Sequence, residues 1–357
     1  MAAIDQLLNT LMDQDGSDLH LIAGDPARIR QYGDLKNLGD DRVSAEHAAA
    51  VIGEIMTPAA KEQLEKHDGA DFAYALDGIA RFRVNVFRHI GGLGAVLRAI
   101  PAKARTLDDL NAPRAIRQMC REVAGLVLVT GKTGSGKSTT LAAMINEINT
   151  NRKGHILTIE DPIEFTHERI GCLVSQREVG VHTPSFASAL RSAVREDPDV
   201  ILVGELRDLE TMSIAVTAAE TGILVMGTLH TNSAAATVDR IINTFPADKQ
   251  PHIRSMLSTS LRGVVAQQLI KLKGKPGRVA AMEIMVNNAA IANLIRQGKL
   301  DQMENTIQSS AQAGMQTMDS ALKRLVQKRI IAGEEAYLNA ISKENFKDYA
   351  PAGASDE

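Results

Sequence analysis

Hydrophobic and polar positions follow two different grammars along the chain. Between Ala70 and Arg88, Phe72, Tyr74 and Leu76 alternate with Asp71, Ala73 and Ala75, and Phe82, Val84 and Val86 alternate with Arg81, Arg83 and Asn85. A period of two marks half-buried strands. The Asp77-Gly78 pair between the runs predicts a β-hairpin, because glycine tolerates the positive φ of a tight turn. One face is apolar and the other carries Arg81 and Arg83. Arg88 falls in register with the apolar face, unless a bulge or the strand end re-aims it. Residues 1–100 therefore read as a separate α/β unit. Pro101–Pro113, polar and bracketed by prolines, reads as a linker.

Beyond Pro113 the pattern changes. Short apolar runs at Leu126–Val129, Ile156–Ile159, Val200–Val203 and Leu224–Met226 each lead into a helical pattern. Such runs predict buried parallel strands, whose two faces are both covered by helices. From about Asn288 the pattern is helical, and Met318, Leu322 and Leu325 keep an i, i+4, i+7 stripe. Residues 348–357 are expected to form a frayed tail. There is no internal repeat.

Composition narrows the picture. The 357 residues suit two domains, and a 44% hydrophobic content supplies a core. Aromatics make up 3%, Trp is absent and the net charge is -3, which argues against a stacking platform for nucleic acid. Only Cys120 and Cys172 occur, so neither a disulfide framework nor a four-Cys zinc site is expected. The Met-Ala-Ala-Ile-Asp start does not read as a secretory signal, and no run approaches the roughly 20 apolar residues of a membrane helix. Any membrane association is expected to go through a partner.

The clearest chemistry lies at Gly131-Lys-Thr-Gly-Ser-Gly-Lys-Ser138. A predicted strand, Gly125–Thr130, precedes it. A predicted helix, Thr139–Asn149, follows with Leu141, Met144, Ile145 and Ile148 on one face. Strand, glycine loop and helix is the context of a phosphate-binding loop. Backbone N–H groups from Thr133, Gly134, Ser135, Gly136, Lys137, Ser138 and Thr139 are expected to surround the phosphates, aided by the helix N-terminus. Lys137 would reach the β- and γ-phosphates, and Ser138 would ligate Mg²⁺.

Triphosphate hydrolysis also calls for carboxylates. Asp199-Val-Ile-Leu-Val-Gly-Glu205 is an apolar strand ending in an acid, as in a Walker B segment. Ile159-Glu-Asp-Pro-Ile-Glu164 sets Glu160, Asp161 and Glu164 beyond another apolar strand. Ligands of open α/β sheets bind beyond the carboxyl ends of strands, so both clusters are expected to face the γ-phosphate. The competing reading is that some acids cap helices or pair with Arg191, Arg195 or Arg207; it is favoured for Asp161 and Asp208. His230 ends the run Leu224–Leu229 at the same expected edge. It reads as a γ-phosphate sensor in preference to a general base.

In order and spacing these motifs resemble the secretion ATPase superfamily, and within it the PilT-like branch of pilus-retraction motors. The resemblance rests on the loop Gly131–Ser138, the Asp box Ile159–Glu164, the Walker B stretch Ile201–Asp208 and the His box Gly227–Asn232. Ser17-Asp-Leu-His-Leu, Ile29-Arg-Gln-Tyr-Gly-Asp, Ala290–Arg296 and Gly314–Asp319 extend it over nearly the whole chain. It implies an N-terminal PAS-like α/β domain (1–100), a mobile linker (101–113) and a RecA-like P-loop ATPase domain with a helical C-terminal part (114–347). It implies ATP and Mg²⁺, with Glu164 the catalytic glutamate, Glu205 the Walker B acid acting indirectly on the metal, and His230 the His-box residue. It implies a homohexamer in which Arg81, Arg83 and Arg88 are candidates to close a neighbour's site; an arginine finger contributes about 10³–10⁵ in rate. Such a ring would work from the cytoplasmic side on an inner-membrane pilus platform protein, powering retraction and twitching. Two departures stand out: Lys132, where many relatives carry Pro, and Ala292, where the C-terminal signature usually has Arg. The four-Cys insert common in the longer assembly ATPases is missing. An accessory paralogous motor, a nucleotide-dependent scaffold with little turnover, and a hexameric helicase are the competing readings.

Overall fold

The computed structural model describes residues 2–31, 33–76, 78–100 and 104–351. The chain divides into two compact units, Met1–Lys103 and Ala104–Glu357.

The first unit runs α1 (Ile4–Asp13), β1 (Asp18–Ile22), β2 (Pro26–Gln31), β3 (Asp34–Arg42), α2 (Ala45–Ile55), α3 (Pro58–His67), β4 (Gly69–Leu76), β5 (Ala80–His89) and β6 (Gly92–Ile100). Its six strands pair antiparallel in the order β3-β2-β1-β6-β5-β4. Helix starts are set locally: Ser44 caps α2, and Thr57 caps α3 ahead of Pro58, whose missing N–H costs nothing in a first turn. Leu8 and Leu11 of α1 and Val51 and Ile52 of α2 share one core with Leu19, Leu21, Phe82, Val84, Val86 and Leu97. The expected hairpin is present as β4 and β5, with Phe72 opposite Val84 and Tyr74 opposite Phe82. Gly78 in its turn has φ 74°; Asp77 lies outside the described residues. Alternation puts Arg88 on the side of Val84 and Val86, yet it is exposed. Near the end of β5 nothing covers that position, and its guanidinium turns to Asp68 at 3.8 Å.

The second unit opens with α4 (Arg114–Met119), then β7 (Gly125–Thr130), α5 (Lys137–Asn151), β8 (His155–Glu160), β9 (Leu173–Glu178), α6 (Phe186–Ala193) and β10 (Val200–Val203). There follow α7 (Leu209–Glu220), β11 (Leu224–Leu229), α8 (Ala234–Thr244), α9 (Gln250–Ser260), β12 (Leu261–Lys271) and β13 (Arg278–Val286). The chain then turns helical through α10 (Ala289–Gln297), α11 (Met303–Ser309), α12 (Met318–Gln327) and α13 (Gly333–Asn339). The sheet order is β13-β12-β7-β11-β10-β8-β9. All pairings are parallel except that of β13 with β12. Every residue of β7, β10 and β11 is buried. Separate cores on the two faces explain why these strands read as unbroken apolar runs.

Two boundary expectations change. In the stretch read as a linker, residues 101–103 lie outside the described residues, while Leu107 is buried against Ile116 and Met119 in the second unit's core. Thr106 and Asp109 exchange side-chain and backbone hydrogen bonds at 2.9 and 3.1 Å. Burying one leucine contributes about 1.5–3 kcal/mol, enough to anchor this segment. At the other end, Lys343–Tyr349 form short helical turns on either side of a kink at Phe346, which is buried against Met318 and Leu322, so structure continues past the expected start of the tail at 348. Residues 352–357 lie outside the described residues.

Candidate active site

The carboxyl ends of β7, β8, β10 and β11 reach one edge of the sheet, because these neighbours run parallel in register: Thr130 opposes Leu229, and Val203 opposes both Gly227 and Ile159. The residues that follow are Gly131, Asp161, Gly204 and His230, and topology alone gathers them.

The loop leaving β7 enters α5 at Lys137, with Gly136 as the N-cap at φ 88°. A Cβ at Gly136 would lie 2.8 Å from Gln267 Nε2, and one at Gly131 would collide with the Gln267 carbonyl oxygen and Ser135 Oγ. Only glycine lets β12 approach this closely. Gln267 then braces the loop: Nε2 donates to the Ser135 carbonyl at 2.6 Å, and Oε1 accepts from Thr140 Oγ1 at 2.7 Å. Lys137 Nζ donates to the Gly131 and Lys132 carbonyls at 2.9 and 3.3 Å, folding the ammonium over the loop. Lys132 contributes its carbonyl, and its side chain is exposed, so a residue differing from the family here need not alter the cradle. Ser135 Oγ is buried without a hydrogen-bond partner. An orphaned hydroxyl, glycines without room for a Cβ and the N-terminus of a long helix form a cradle of the kind that fits phosphate oxygens. Ser138 and Thr139 follow in the first turn of α5, both partly exposed.

Glu205, just past β10, is the centre of a charged cluster. Arg207 Nη2 lies 2.8 Å from Glu205 Oε2, and His230 Nε2 lies 3.2 Å from Oε1. Partial burial works to raise the Glu205 carboxyl, but the hydrogen bond and charge of Arg207, with His230 behind them, hold it below the usual carboxylate value. Burial pulls the Lys137 ammonium below the ordinary lysine range, against the opposing fields of Glu205 and then Glu164. Both carboxylates thus favour the charged form of Lys137. Glu160 is different: burial raises its pKa while hydrogen bonds from Thr158 and Gln176 oppose the rise. Asp208 caps α7 through Thr211 N–H at 2.8 Å, the capping role expected of it.

Arg81, Arg83 and Arg88 all lie on β5 of the first unit. Arg83 faces Asp71 at 3.6 Å, and Arg81 Nε is buried without a partner. Sequence reading missed Gln267. Its one local signal is a Gln-Gln pair inside the apolar run of β12, and its partners lie 127 and 132 positions away. Arg207, by sequence a competing ion-pair partner for the acids, pairs with Glu205 itself.

Replacing Gln267 with leucine leaves the Ser135 carbonyl and Thr140 hydroxyl unpaired, at about 1–3 kcal/mol for each buried group. We expect ATP affinity to fall roughly ten-fold or more, since 1.4 kcal/mol is a factor of ten. Titration with a fluorescent ATP analogue measures this, and wild-type affinity would remove Gln267 from the site.

A family model described as type II/IV secretion system protein matches residues 1–338. The type IV pilus retraction ATPase PilT of Pseudomonas aeruginosa is 51% identical over 343 residues, spanning 96% of this chain and 99% of that protein. The type IV pilus ATPase PilU of the same organism is 38% identical over 353 residues, spanning 99% and 92%. The crystal structure of the pilus retraction motor PilT with bound ADP aligns at a TM-score of 0.91 and 42% identity, covering 97% of this chain and 99% of that one.

Proposed function

The chain belongs to the type II/IV secretion system protein family, and from that premise we propose that it is an ATP-hydrolysing motor that powers type IV pilus retraction. The observation that carries this is the pairing of Glu205 with His230 beyond the strand ends from which the Lys137 loop also leaves, with the charges of Glu205 and Glu164 both acting on Lys137, in a chain matching PilT along 99% of that relative. A PilT relative was solved with ADP bound, which supports nucleotide at the Gly131–Ser138 loop.

The residues divide the work. Loop N–H groups from Thr133 to Thr139 bind the phosphates, and Lys137 leaves its loop carbonyls to meet the β- and γ-phosphates. Ser138 would hold Mg²⁺, with Glu205 acting on it indirectly; the ion, when bound, neutralises charge on the phosphates. Glu164 orients the attacking water and accepts its proton. A bond from that oxygen to the γ-phosphorus forms as the bond to the bridging oxygen breaks, and ADP and phosphate leave. His230 shares Glu205 with Arg207, so a change of partner on loss of the γ-phosphate would report which nucleotide is bound. Arg81, Arg83 and Arg88 are assigned to a neighbouring copy's site in a homohexamer. Residues 1–100 and 114–347 are assigned as the moving domains and 101–113 as the stretch that joins them, and the burial of Leu107 supports a hinge near the start of that stretch. The partner is an inner-membrane platform protein reached from the cytoplasmic side, without nucleic acid. No helix among the described residues is long and apolar enough to cross a membrane.

The test is complementation. In a strain lacking its retraction motor, the wild-type chain restores twitching and the Lys137→Ala chain does not. ATP turnover in the purified protein without restored twitching would favour the second reading, an accessory motor. That reading is supported by Ala292, half-buried on α10, the departure in the C-terminal signature.

A further inference from the structure

Glu164 does not sit on a helix or strand. Residues 161–172, between β8 and β9, form an irregular stretch. A misplacement of about 1 Å can cost roughly 10²-fold in rate, so a carboxylate on such a stretch needs support from elsewhere.

The support comes from β9, on both sides of Glu164. Ahead of it, the Ile163 N–H donates to Glu178 Oε2 at 3.1 Å. Behind it, Gln176 Nε2 donates to the Phe165 carbonyl at 2.8 Å, and Gln176 Oε1 accepts from the His167 N–H at 2.8 Å. The Gln176 amide thus pairs with loop backbone in both directions, as a neighbouring strand would. Its Nε2 also reaches Glu160 Oε1 at 3.3 Å, an oxygen that Thr158 Oγ1 holds at 2.6 Å. Ile163 and Phe165 are buried, at 4% and 7% exposure, while Glu164 between them is exposed. Burial alternates over Ile163, Glu164 and Phe165, so anchoring both neighbours inward leaves Glu164 facing outward. Glu178, at 7% exposure, has little freedom to let go.

We propose that Gln176 and Glu178 are positioning residues for Glu164, pinning the backbone on either side of it so that its carboxylate meets the attacking water. This rests on the assignment of Glu164 to that water. Two pairs of measurements test it: kcat and KM for ATP in Gln176→Leu and Glu178→Ala, and the same in Glu178→Gln and Glu164→Gln. Glu178→Gln keeps an oxygen for the Ile163 N–H, whereas Glu178→Ala does not. The expected result is a fall in kcat of about ten-fold or more in Gln176→Leu and Glu178→Ala with KM within about two-fold, and recovery to within about two-fold of wild type in Glu178→Gln.

Wild-type turnover in Glu164→Gln overturns the assignment of Glu164. An inactive Glu164→Gln beside unchanged kcat in Gln176→Leu and Glu178→Ala leaves that assignment standing and overturns the positioning role. Joint loss of kcat and nucleotide binding, or an equal loss in Glu178→Gln and Glu178→Ala, assigns the two residues to general support of the fold and overturns the proposal as well.

Discussion

Replacing Lys137 with alanine lowers ATP turnover by about 10²–10³-fold or more, the range for removing a charged donor aimed at developing transition-state charge. Two features of the loop make the ammonium hard to replace. It is half-buried, so its charge acts in a medium that screens less than water. It also starts α5, so it stands where the helix N-terminus already favours anions. Of its present partners, the Lys132 carbonyl keeps the Ser135 N–H at 3.1 Å once the side chain is cut back, so the loss falls on the Gly131 carbonyl alone. The fold should therefore tolerate the change, and alanine is the best helix former at that position. Phosphate release at saturating ATP, read beside far-UV circular dichroism, measures the effect. Undiminished turnover in a folded variant would sink the site assignment. Arginine is a poor substitute, since its rigid planar fork cannot reproduce a point charge folded over two carbonyls.

The second large effect comes from the carboxylates. Glu164→Gln is expected to lower kcat by about 10²–10⁴-fold, the contribution of a placed general base, while nucleotide affinity stays near wild type. Glu164 is exposed and takes part in no ion pair among the described residues, so its amide costs little stability. Glu205→Gln should also retain ATP and lose turnover, with one difference. The new amide oxygen would still accept from His230, but the charge that faces Arg207 would be lost. Arg207 is 60% exposed, so water takes over its solvation and the stability loss stays within about 1 kcal/mol. Isothermal titration with ATP and a steady-state phosphate assay separate binding from turnover. Weakened binding in proportion to lost turnover would make these acids structural.

The legible parts of the fold were those with a strong local pattern. The β4–β5 hairpin came from strict alternation around Asp77-Gly78, and β7, β8, β10 and β11 from apolar runs that match their buried cores. Strand β9 carries no such pattern, because Leu173-Val-Ser-Gln-Arg-Glu178 is an edge strand with mostly polar residues and little burial to shape its composition. The 101–113 stretch reads as a linker because Leu107 and Leu110 are leucines in a largely polar segment, a signal too sparse for periodicity to detect.

The sequence by itself determined the phosphate loop, the pair of acid-bearing strands and the family. Each is written in contiguous residues whose local chemistry is sufficient: glycines that permit a tight loop, a lysine and serine at fixed spacing, acids at the ends of apolar runs. Only the tertiary structure decided which residues serve them from a distance. Gln267 braces a loop more than a hundred positions away, Arg207 and His230 share Glu205, and Gln176 and Glu178 pin the backbone around Glu164. Those pairings depend on strand order and on which edge of the sheet each strand end reaches. Strand order follows from the packing of two whole cores, and no local window of sequence contains that information.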